Sequence, residues 1–327
     1  MNLQKSTPTN PDLNANLPLA MFPGQGSQDL GMAAGWVGSG AARLVLEEAE
    51  TALGRPLGAL MAEGADAATL TQTQNTQPAL LVVGLMAAAA LQEAAGKPFA
   101  QLFGAVAGHS LGEYTAVAAA GGLSVAEAVR LVEVRAQAMA KAPKGGMSAV
   151  LGLEPEVIEK VLENLPNVWL ANDNCVGQAV VAAELEVLAA AEPVLQAAGA
   201  KRVLRLPVGG AFHTPLQTGA AEAVANWLVA HTVQDLKLPC WMNYTAQYHV
   251  NTLEIQENLV AQITHRVRWR EAMQNAAEAG VTQAVELGCG KVLSGLAGRC
   301  GVGLEGRLQA QPLSSLDEVL RWLEAHC

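Results

Sequence analysis

The sequence predicts an α/β protein in which a larger α/β unit carries a smaller one as an insertion. The segment Gly108–Gly112 lies between a short apolar run and an alanine-rich run, which is the order of a strand, a sharp turn and a helix. Residues 147–208 show the order βαββαβ, and glycine pairs at 145–146 and 209–210 flank them. Abundant alanine and glycine with few aromatic residues favour helices packed closely on a sheet.

The first 144 residues contain two predicted strands among several helices. Ser124 and Glu127 form a capping-box pattern, which predicts that a helix begins there. In chain order, the predictions are a strand over 17–22, a glycine-rich loop over 23–28, helices to about 95, a strand over 103–107, a helix over 113–120 and a helix from 124 to about 142.

The inserted unit follows the break at residues 143–146. Its predicted strands cover 147–153, 168–171, 179–182 and 202–208, and its predicted helices cover 154–165 and 184–198. This order is the split βαβ of a ferredoxin-like unit. We therefore expect a small subdomain over 145–208, with hinges at its glycine pairs, and a large subdomain over 17–144 and 209–327.

The rest of the chain returns to alternating helices and strands. The predictions are a helix over 216–230, a strand over 238–244, a helix over 255–279, a strand over 282–287 and a short helix over 292–297. Ser315 with Glu318 predicts the start of a last helix.

Composition and charge exclude several classes of protein. Apolar residues make up 51% and charged residues 15% of the 327 residues, which excludes general disorder. A formal net charge of −10 argues against nucleic acid as a partner. The five cysteines are scattered and form no C-x-x-C pair, so we expect free thiols in a reducing cytoplasm and no zinc site.

The N-terminal residues and the most apolar stretch do not indicate a membrane protein. Residues 1–16 are polar, and we expect a flexible tail there that is neither a signal peptide nor an anchor. The uncharged stretch Pro78–Leu91 is too short to span a bilayer, so we expect a buried helix.

Ser110 is the candidate nucleophile. Glycines on both sides permit a strained turn that aims the Ser110 hydroxyl into a cleft. The Leu111 N–H would then lie at a helix N-terminus, where it can stabilise an oxyanion. A plain glycine-rich turn is the alternative, because G-x-S-x-G matches also arise by chance.

A serine nucleophile needs a base, and His213 is the best placed of the six histidines. It lies in a glycine-rich junction after the inserted unit, and binding sites are common in clefts between domains. His109 is expected to point away from Ser110, and the others lie among arginines or in polar or terminal segments: His231, His249, His265 and His326. A loop histidine bonded to the backbone is the alternative. No acidic third member of a triad is evident, so a backbone carbonyl could orient the imidazole.

Arg135 lies in the middle of the apolar stripe of the helix that begins after Ser124. A guanidinium facing the interior is costly unless a carboxylate or several acceptors satisfy it. A structural ion pair or a side chain that extends to solvent would explain it. The functional hypothesis is a bidentate clamp for a carboxylate on the substrate.

The loop Gly24–Asp29 superficially resembles a nucleotide-binding loop. It lacks the third glycine of G-x-G-x-x-G and the lysine of a Walker A motif, so both nucleotide hypotheses fail. A loop after an early strand can instead supply the second N–H of an oxyanion hole, and Gln25 is the candidate.

Taken together, these segments resemble the malonyl-CoA:acyl carrier protein transacylase family of acyltransferase domains. The likeness runs from about Leu17 to the C-terminus. The shared motifs are FPGQGSQ (22–28), TQPAL (76–80), GHSLGEY (108–114), RLVEVR (130–135), GAFHTPL (210–216), NYTA (243–246), VRW (267–269) and ELGCGKVLSGL (286–296).

The resemblance implies a fold, an activity and a set of site residues. The implied fold is a hydrolase-like α/β core with an inserted ferredoxin-like subdomain. The implied reaction moves a malonyl group from malonyl-CoA to the phosphopantetheine thiol of acyl carrier protein, through a malonyl-serine and without metal or other cofactor. The matched residues are the nucleophile Ser110, the base His213, the oxyanion-hole residues Gln25 and Leu111, the carboxylate-binding Arg135, and Gln262, whose backbone carbonyl orients the histidine. In having a phenylalanine at position 212, the sequence resembles family members that select malonyl over methyl-branched acyl units.

The sequence departs from the family's pattern at Val176, Arg266 and Cys289, where the family commonly has proline. These loop positions leave the chemistry intact and leave fine specificity and partner choice open. A polyketide or malonate decarboxylase acyltransferase, a carrier-protein thioester hydrolase and a non-catalytic carrier-binding protein are the alternatives. Two basic clusters are candidates for docking an acidic carrier protein: 201, 202 and 205, or 266, 268 and 270.

Overall fold

Two sheets organise the chain in the computed structural model, which describes residues 13–300 and 308–326. The strands are β1 (Leu19–Phe22), β2 (Ala105–Gly108), β3 (Gly145–Leu151), β4 (Val168–Cys175), β5 (Gln178–Glu184), β6 (Arg202–Arg205), β7 (Cys240–Trp241), β8 (Tyr248–His249), β9 (Val267–Arg268), β10 (Gln283–Leu287) and β11 (Gln309–Leu313). The α-helices are α1 (Gly40–Leu53), α2 (Leu57–Met61), α3 (Ala67–Thr71), α4 (Thr73–Ala95), α5 (Phe99–Leu102), α6 (Leu111–Ala119), α7 (Val125–Lys141), α8 (Pro155–Leu162), α9 (Leu185–Ala197), α10 (Thr218–Ala230), α11 (Thr252–Thr264), α12 (Trp269–Glu278), α13 (Val292–Ala297) and α14 (Leu316–His326).

The larger sheet has the strand order β11-β10-β1-β2-β7-β8. All neighbours in it are parallel except the β7–β8 hairpin. Strands β1 and β2 are buried along their whole length, as expected for parallel strands that helices cover on both faces. Phe22 pairs with Gly108 at the ends of these strands. The glycine-rich loop after β1 and the Ser110 turn after β2 therefore leave the same edge of the sheet.

Helix α4 forms much of the core beside this sheet. It contains the expected buried stretch and begins at Thr73, upstream of Pro78. Among the described residues it is the one helix that is long and apolar enough to cross a membrane, but 72% of its most apolar window is buried inside the protein. Because most of this window is buried against the rest of the protein, we interpret α4 as a core helix.

The smaller sheet has the order β6-β3-β5-β4-β9. Strands β6, β3, β5 and β4 are antiparallel neighbours, which is the ferredoxin-like arrangement expected from the βαββαβ pattern. Ile158 of α8 and Leu188 of α9 belong to one buried cluster with Val150 and Val181 of the sheet. The predicted fold class, an α/β core with a ferredoxin-like insertion, is confirmed.

Several predicted elements differ in detail. The single helix expected over 255–279 is two helices, α11 and α12, because β9 interrupts them and pairs in parallel with β4. The strand expected over 238–244 is only β7, since the chain turns back there into β8. Strand β11 lies in a segment for which the sequence indicated no element.

The connections to the smaller sheet lie side by side. Lys144 and Gly210 form an antiparallel bridge where the chain enters and leaves the insertion. At the N-terminus, residues 1–12 of the expected tail lie outside the described residues, and Leu13 packs against a buried cluster that includes Trp241.

Candidate active site

Ser110 occupies a strained turn between β2 and α6. Its backbone has φ 53° and ψ −106°, a conformation that is rare for a residue with a side chain. Two glycines make the turn possible. A Cβ at Gly112 would overlap the carbonyl oxygen of Phe22, and a Cβ at Gly108 would overlap the backbone of Gly112. The strand–turn–helix geometry is therefore present, and the plain-turn alternative does not describe it.

His213 is the histidine that contacts Ser110. Its Nε2 lies 2.8 Å from the Ser110 Oγ, and its Nδ1 lies 2.6 Å from the carbonyl oxygen of Gln262. Because a carbonyl can only accept, Nδ1 carries the proton and Nε2 is left as the acceptor. Gln262 lies in the last turn of α11, where carbonyl groups have no intrahelical partner. The negative end of the helix dipole favours positive charge on the imidazole there.

The surroundings of His213 keep it neutral. Burial, and secondarily the positive charge of Arg135, lower the pKa of His213 to about 3. A neutral imidazole is the form that accepts a proton from a serine hydroxyl.

Arg135 is 1% exposed and lies beside the nucleophile. Its guanidinium donates to Gln77 Oε1, to Gln262 Oε1 at 3.3 Å and to Ser110 Oγ at 3.1 Å, and it lies 5.0 Å from the ring centre of Tyr114. In residues 13–300 and 308–326, no carboxylate forms an ion pair with it. Its burial excludes a side chain extended into solvent, and neutral partners replace the structural ion pair.

The two candidate oxyanion-hole residues line the same cleft as Ser110 and His213. Leu111 is the first residue of α6, so its N–H has no acceptor within the helix. Gln25 lies in the loop after β1, and its side-chain Nε2 donates to Thr73 Oγ1 at 3.4 Å. The structure thus brings Ser110, His213, Arg135, Gln25 and Leu111 together around one cleft, and the buried Gln262 bonds to His213 and Arg135 behind it.

The smaller sheet forms the opposite wall of this cleft. Strands β4 and β5 contribute the lining residues Asn172, Asn174, Gln178 and Val180. Asn174 also bonds to His109, with 2.8 Å between Oδ1 and Nε2. His109 itself lines the cleft, and in the described residues its ring nitrogens form no hydrogen bond to Ser110. Burial lowers the pKa of His109, which favours its neutral form.

Sequence reasoning missed four features of the site: the side chains of Gln77 and Gln262, which bond to Arg135, and those of Asn243 and Glu113 behind the Ser110 turn. Polar residues inside the TQPAL, GHSLGEY and NYTA motifs were the available signal, because buried polar side chains require partners.

The three positions where the family commonly has proline form contacts that proline could not. The Val176 N–H donates to the Arg299 carbonyl at 2.9 Å, and Cys289 Sγ donates to the Ser27 carbonyl at 3.3 Å. Arg266 forms an ion pair with Glu159. In the described part of the chain, no group of three or more His, Cys, Asp or Glu side chains could hold a metal ion.

Comparison with known proteins agrees with this geometry. The family model described as an acyl transferase domain matches residues 21–294. The chain belongs to the acyl transferase family. A malonyl CoA-acyl carrier protein transacylase of Bacillus subtilis is 37% identical over 284 residues, covering 84% of this chain and 88% of the relative.

Solved structures of acyltransferases resemble most of the chain. An acyl-carrier-protein S-malonyltransferase from Bartonella henselae has a TM-score of 0.89 and 35% identity, covering 94% of this chain and 99% of that one. A malonyl transacylase in complex with a type II polyketide synthase acyl carrier protein has a TM-score of 0.88 and 34% identity, covering 94% of this chain and 100% of that one.

Proposed function

We propose that this acyltransferase moves a malonyl group from malonyl-CoA to the phosphopantetheine thiol of acyl carrier protein, in fatty acid synthesis. The observation that carries the proposal is the buried Arg135 guanidinium, whose partners among the described residues are all neutral and which lies 3.1 Å from the candidate nucleophile. Such a charge favours an acyl group that carries a carboxylate, because a planar guanidinium binds a carboxylate through two parallel hydrogen bonds.

The reaction divides into two acyl transfers. His213 takes the proton of Ser110 while Oγ attacks the thioester carbonyl. The Gln25 and Leu111 N–H groups stabilise the oxyanion, a contribution of about 3 kcal/mol per donor. The C–S bond breaks, and the CoA sulfur leaves with the proton from His213. The carrier thiol then attacks malonyl-Ser110 by the same steps, with His213 again the base.

Arg135 has a hydrogen-bond acceptor both before and after the substrate binds. Its Nη2 donates to Ser110 Oγ in the structure, and a substrate carboxylate is a stronger acceptor than a hydroxyl. When the carboxylate takes this hydrogen bond, the Ser110 oxygen loses a donor that would oppose its attack. No step in this scheme requires a metal or another cofactor.

A carrier-protein thioester hydrolase would use the same Ser110 and His213. The experiment that separates the two functions measures malonyl-CoA consumption with and without acyl carrier protein, following free malonate and malonyl-carrier. Transfer predicts rapid CoA release only when the carrier is present, apart from one turnover per enzyme. Steady malonate release without carrier would contradict transfer and support hydrolysis.

Docking of an acidic carrier needs a basic surface near the cleft. In the second candidate cluster, each arginine already has a carboxylate partner: Arg266 with Glu159, Arg268 with Glu271, and Arg270 with Asp173 and Glu156. In the first cluster, Arg205 pairs with Glu192, while Lys201 and Arg202 are exposed. The first cluster is therefore the better docking candidate.

We also propose that residues 145–208 act as the small subdomain, with 17–144 and 209–327 as the large one. The Lys144–Gly210 bridge supports these limits, because the chain enters and leaves the insertion at one place. We propose that the protein is located in the cytoplasm, because the substrates of this reaction are soluble.

A further inference from the structure

The strained backbone of Ser110 requires support from its surroundings. A non-glycine residue in this conformation costs about 1–3 kcal/mol and persists only where neighbouring groups hold it. The glycines on either side of Ser110 make room for the turn, but they supply no side chain that could hold it.

Asn243 provides that support from the β7–β8 turn. Its Oδ1 accepts from the Ser110 N–H at 2.6 Å, and its Nδ2 donates to the Gly108 carbonyl at 2.7 Å. One planar amide therefore bridges the residue before the turn and the nucleophile itself. The partners fix its orientation, since an N–H needs an acceptor and a carbonyl needs a donor.

The backbone N–H and carbonyl of Asn243 form hydrogen bonds that hold Asn243 in place. Its N–H donates to Glu113 Oε1 at 2.7 Å, and its carbonyl accepts from the Arg268 N–H at 3.0 Å. Asn243 and Glu113 are both fully buried, and Asn243 is not among the residues that line the cleft. Burial raises the pKa of Glu113 to about 8, so this carboxyl is mainly protonated at neutral pH.

We propose that Asn243 is a positioning residue that holds Ser110 in its reactive conformation, with Glu113 fixing Asn243 from behind. This inference rests on the proposed function only for the identity of the acyl group. Asn243 acts through the Ser110 backbone and touches no substrate, so its loss should slow acylation and leave substrate binding nearly unchanged.

The test replaces Asn243 by alanine and measures two rates in folded protein. The first is labelling of Ser110 by a fluorophosphonate, which reports serine reactivity without any malonyl group. The second is the rate and the half-saturating concentration for formation of malonyl-Ser110 from malonyl-CoA. We expect both rates to fall about 10- to 100-fold, as misplacement of a reacting group does, with the half-saturating concentration little changed.

Asn258→Ala is the matched control. Asn258 is also a buried asparagine, but its amide bonds to Thr245 and to the Glu254 carbonyl. It should label at close to the wild-type rate. If Asn243→Ala does not fold, Asn243→Ser is judged by the same criterion, since its short hydroxyl cannot bridge both sides of the turn.

Wild-type labelling of either folded Asn243 variant would overturn the proposal, as would equal slowing in Asn258→Ala. Failure of the proposed function is a different result. In that case the wild-type protein reacts with the fluorophosphonate but forms no malonyl-serine, and the comparison of labelling rates still decides the role of Asn243.

Discussion

The two sheets contribute differently to the same cleft. The six-stranded sheet and its helices carry Ser110, His213 and Arg135. His213 lies 2.8 Å and Arg135 3.1 Å from the Ser110 Oγ. The five-stranded sheet contributes Asn172, Asn174 and other wall residues, none of which bonds to Ser110 in the described structure. The proposed chemistry is thus built into one unit, and the other shapes the space beside it. Substitutions on the two sides should therefore change different kinetic constants.

Arg135→Ala should produce the largest difference between acyl groups. It removes hydrogen bonds to a carboxylate worth about 1.5–3 kcal/mol, so kcat/KM for malonyl transfer should fall roughly 10- to 100-fold. Transfer of an acetyl group should be spared or improved, because acetyl carries no carboxylate and Arg135 no longer occupies the site. Parallel assays with malonyl-CoA and acetyl-CoA measure this preference.

Arg130→Ala is the matched control for that prediction. Arg130 lies on the same helix α7 but is exposed, and its Nε donates to the Ala52 carbonyl. Its loss should leave the malonyl preference as it is in the wild type. Equal loss of malonyl and acetyl transfer in Arg135→Ala would contradict the clamp.

Asn174→Ala tests the role of the five-stranded sheet, which forms the opposite wall of the cleft. We expect the KM for malonyl-CoA to rise about 3- to 10-fold, the effect of losing one ordinary hydrogen bond. The rate at saturating substrate should stay within a few-fold, because in the described structure the Asn174 side chain bonds to His109 and neither of them bonds to Ser110 or His213. A drop in the saturated acylation rate as large as that of Arg135→Ala would contradict the separate roles of the two walls.

The pH dependence tests whether Arg135 and His213 act as one unit. Because the pKa of His213 is lowered to about 3, kcat/KM for acetyl-CoA in the wild type should show no loss from imidazole protonation between about pH 5 and 7. In Arg135→Gln the positive charge is gone, so the pKa of His213 rises and the acid limb moves to higher pH. A wild-type inflection near the ordinary histidine value of about 6.5 would contradict this.

Glu113→Gln concerns stability rather than rate. Burial raises the pKa of Glu113 from its ordinary value of 4.5 to about 8 in the folded protein. A raised pKa means that its contribution to stability is complete below 4.5 and is lost as pH rises towards 8. The wild type should therefore lose about 1.4 kcal/mol per pH unit across this window relative to Glu113→Gln.

Urea unfolding of both proteins at several pH values measures that difference. The exposed Glu222 provides the control, since Glu222→Gln should change the pH dependence of unfolding little. Parallel stability curves for wild type and Glu113→Gln would show that Glu113 is ionised in the fold.

Local patterns carried most of what the sequence could predict. The Ser110 turn depends on glycines within two residues, and the Ser124–Glu127 capping box forms as expected. Arg135 was recognisable because its neighbours on the helix face are apolar. These features need only the spacing of nearby residues.

Long-range contacts explain what could not be predicted. Asn243 is 133 residues from the Ser110 N–H that it holds, and Gln262 is 152 residues from the Ser110 carbonyl that its side chain bonds at 3.0 Å. Strand β9 exists because Val267 meets Asn172 of β4, and nothing in residues 255–279 alone marks that break. Folding, and not local propensity, brings these partners together.

The most direct test of the central claim is the intact mass of the protein after mixing with malonyl-CoA. The proposed mechanism predicts one malonyl adduct per wild-type molecule, no adduct in Ser110→Ala, and loss of the wild-type adduct when acyl carrier protein is added. An adduct that persists in Ser110→Ala, or one that the carrier does not remove, would contradict transfer through malonyl-Ser110.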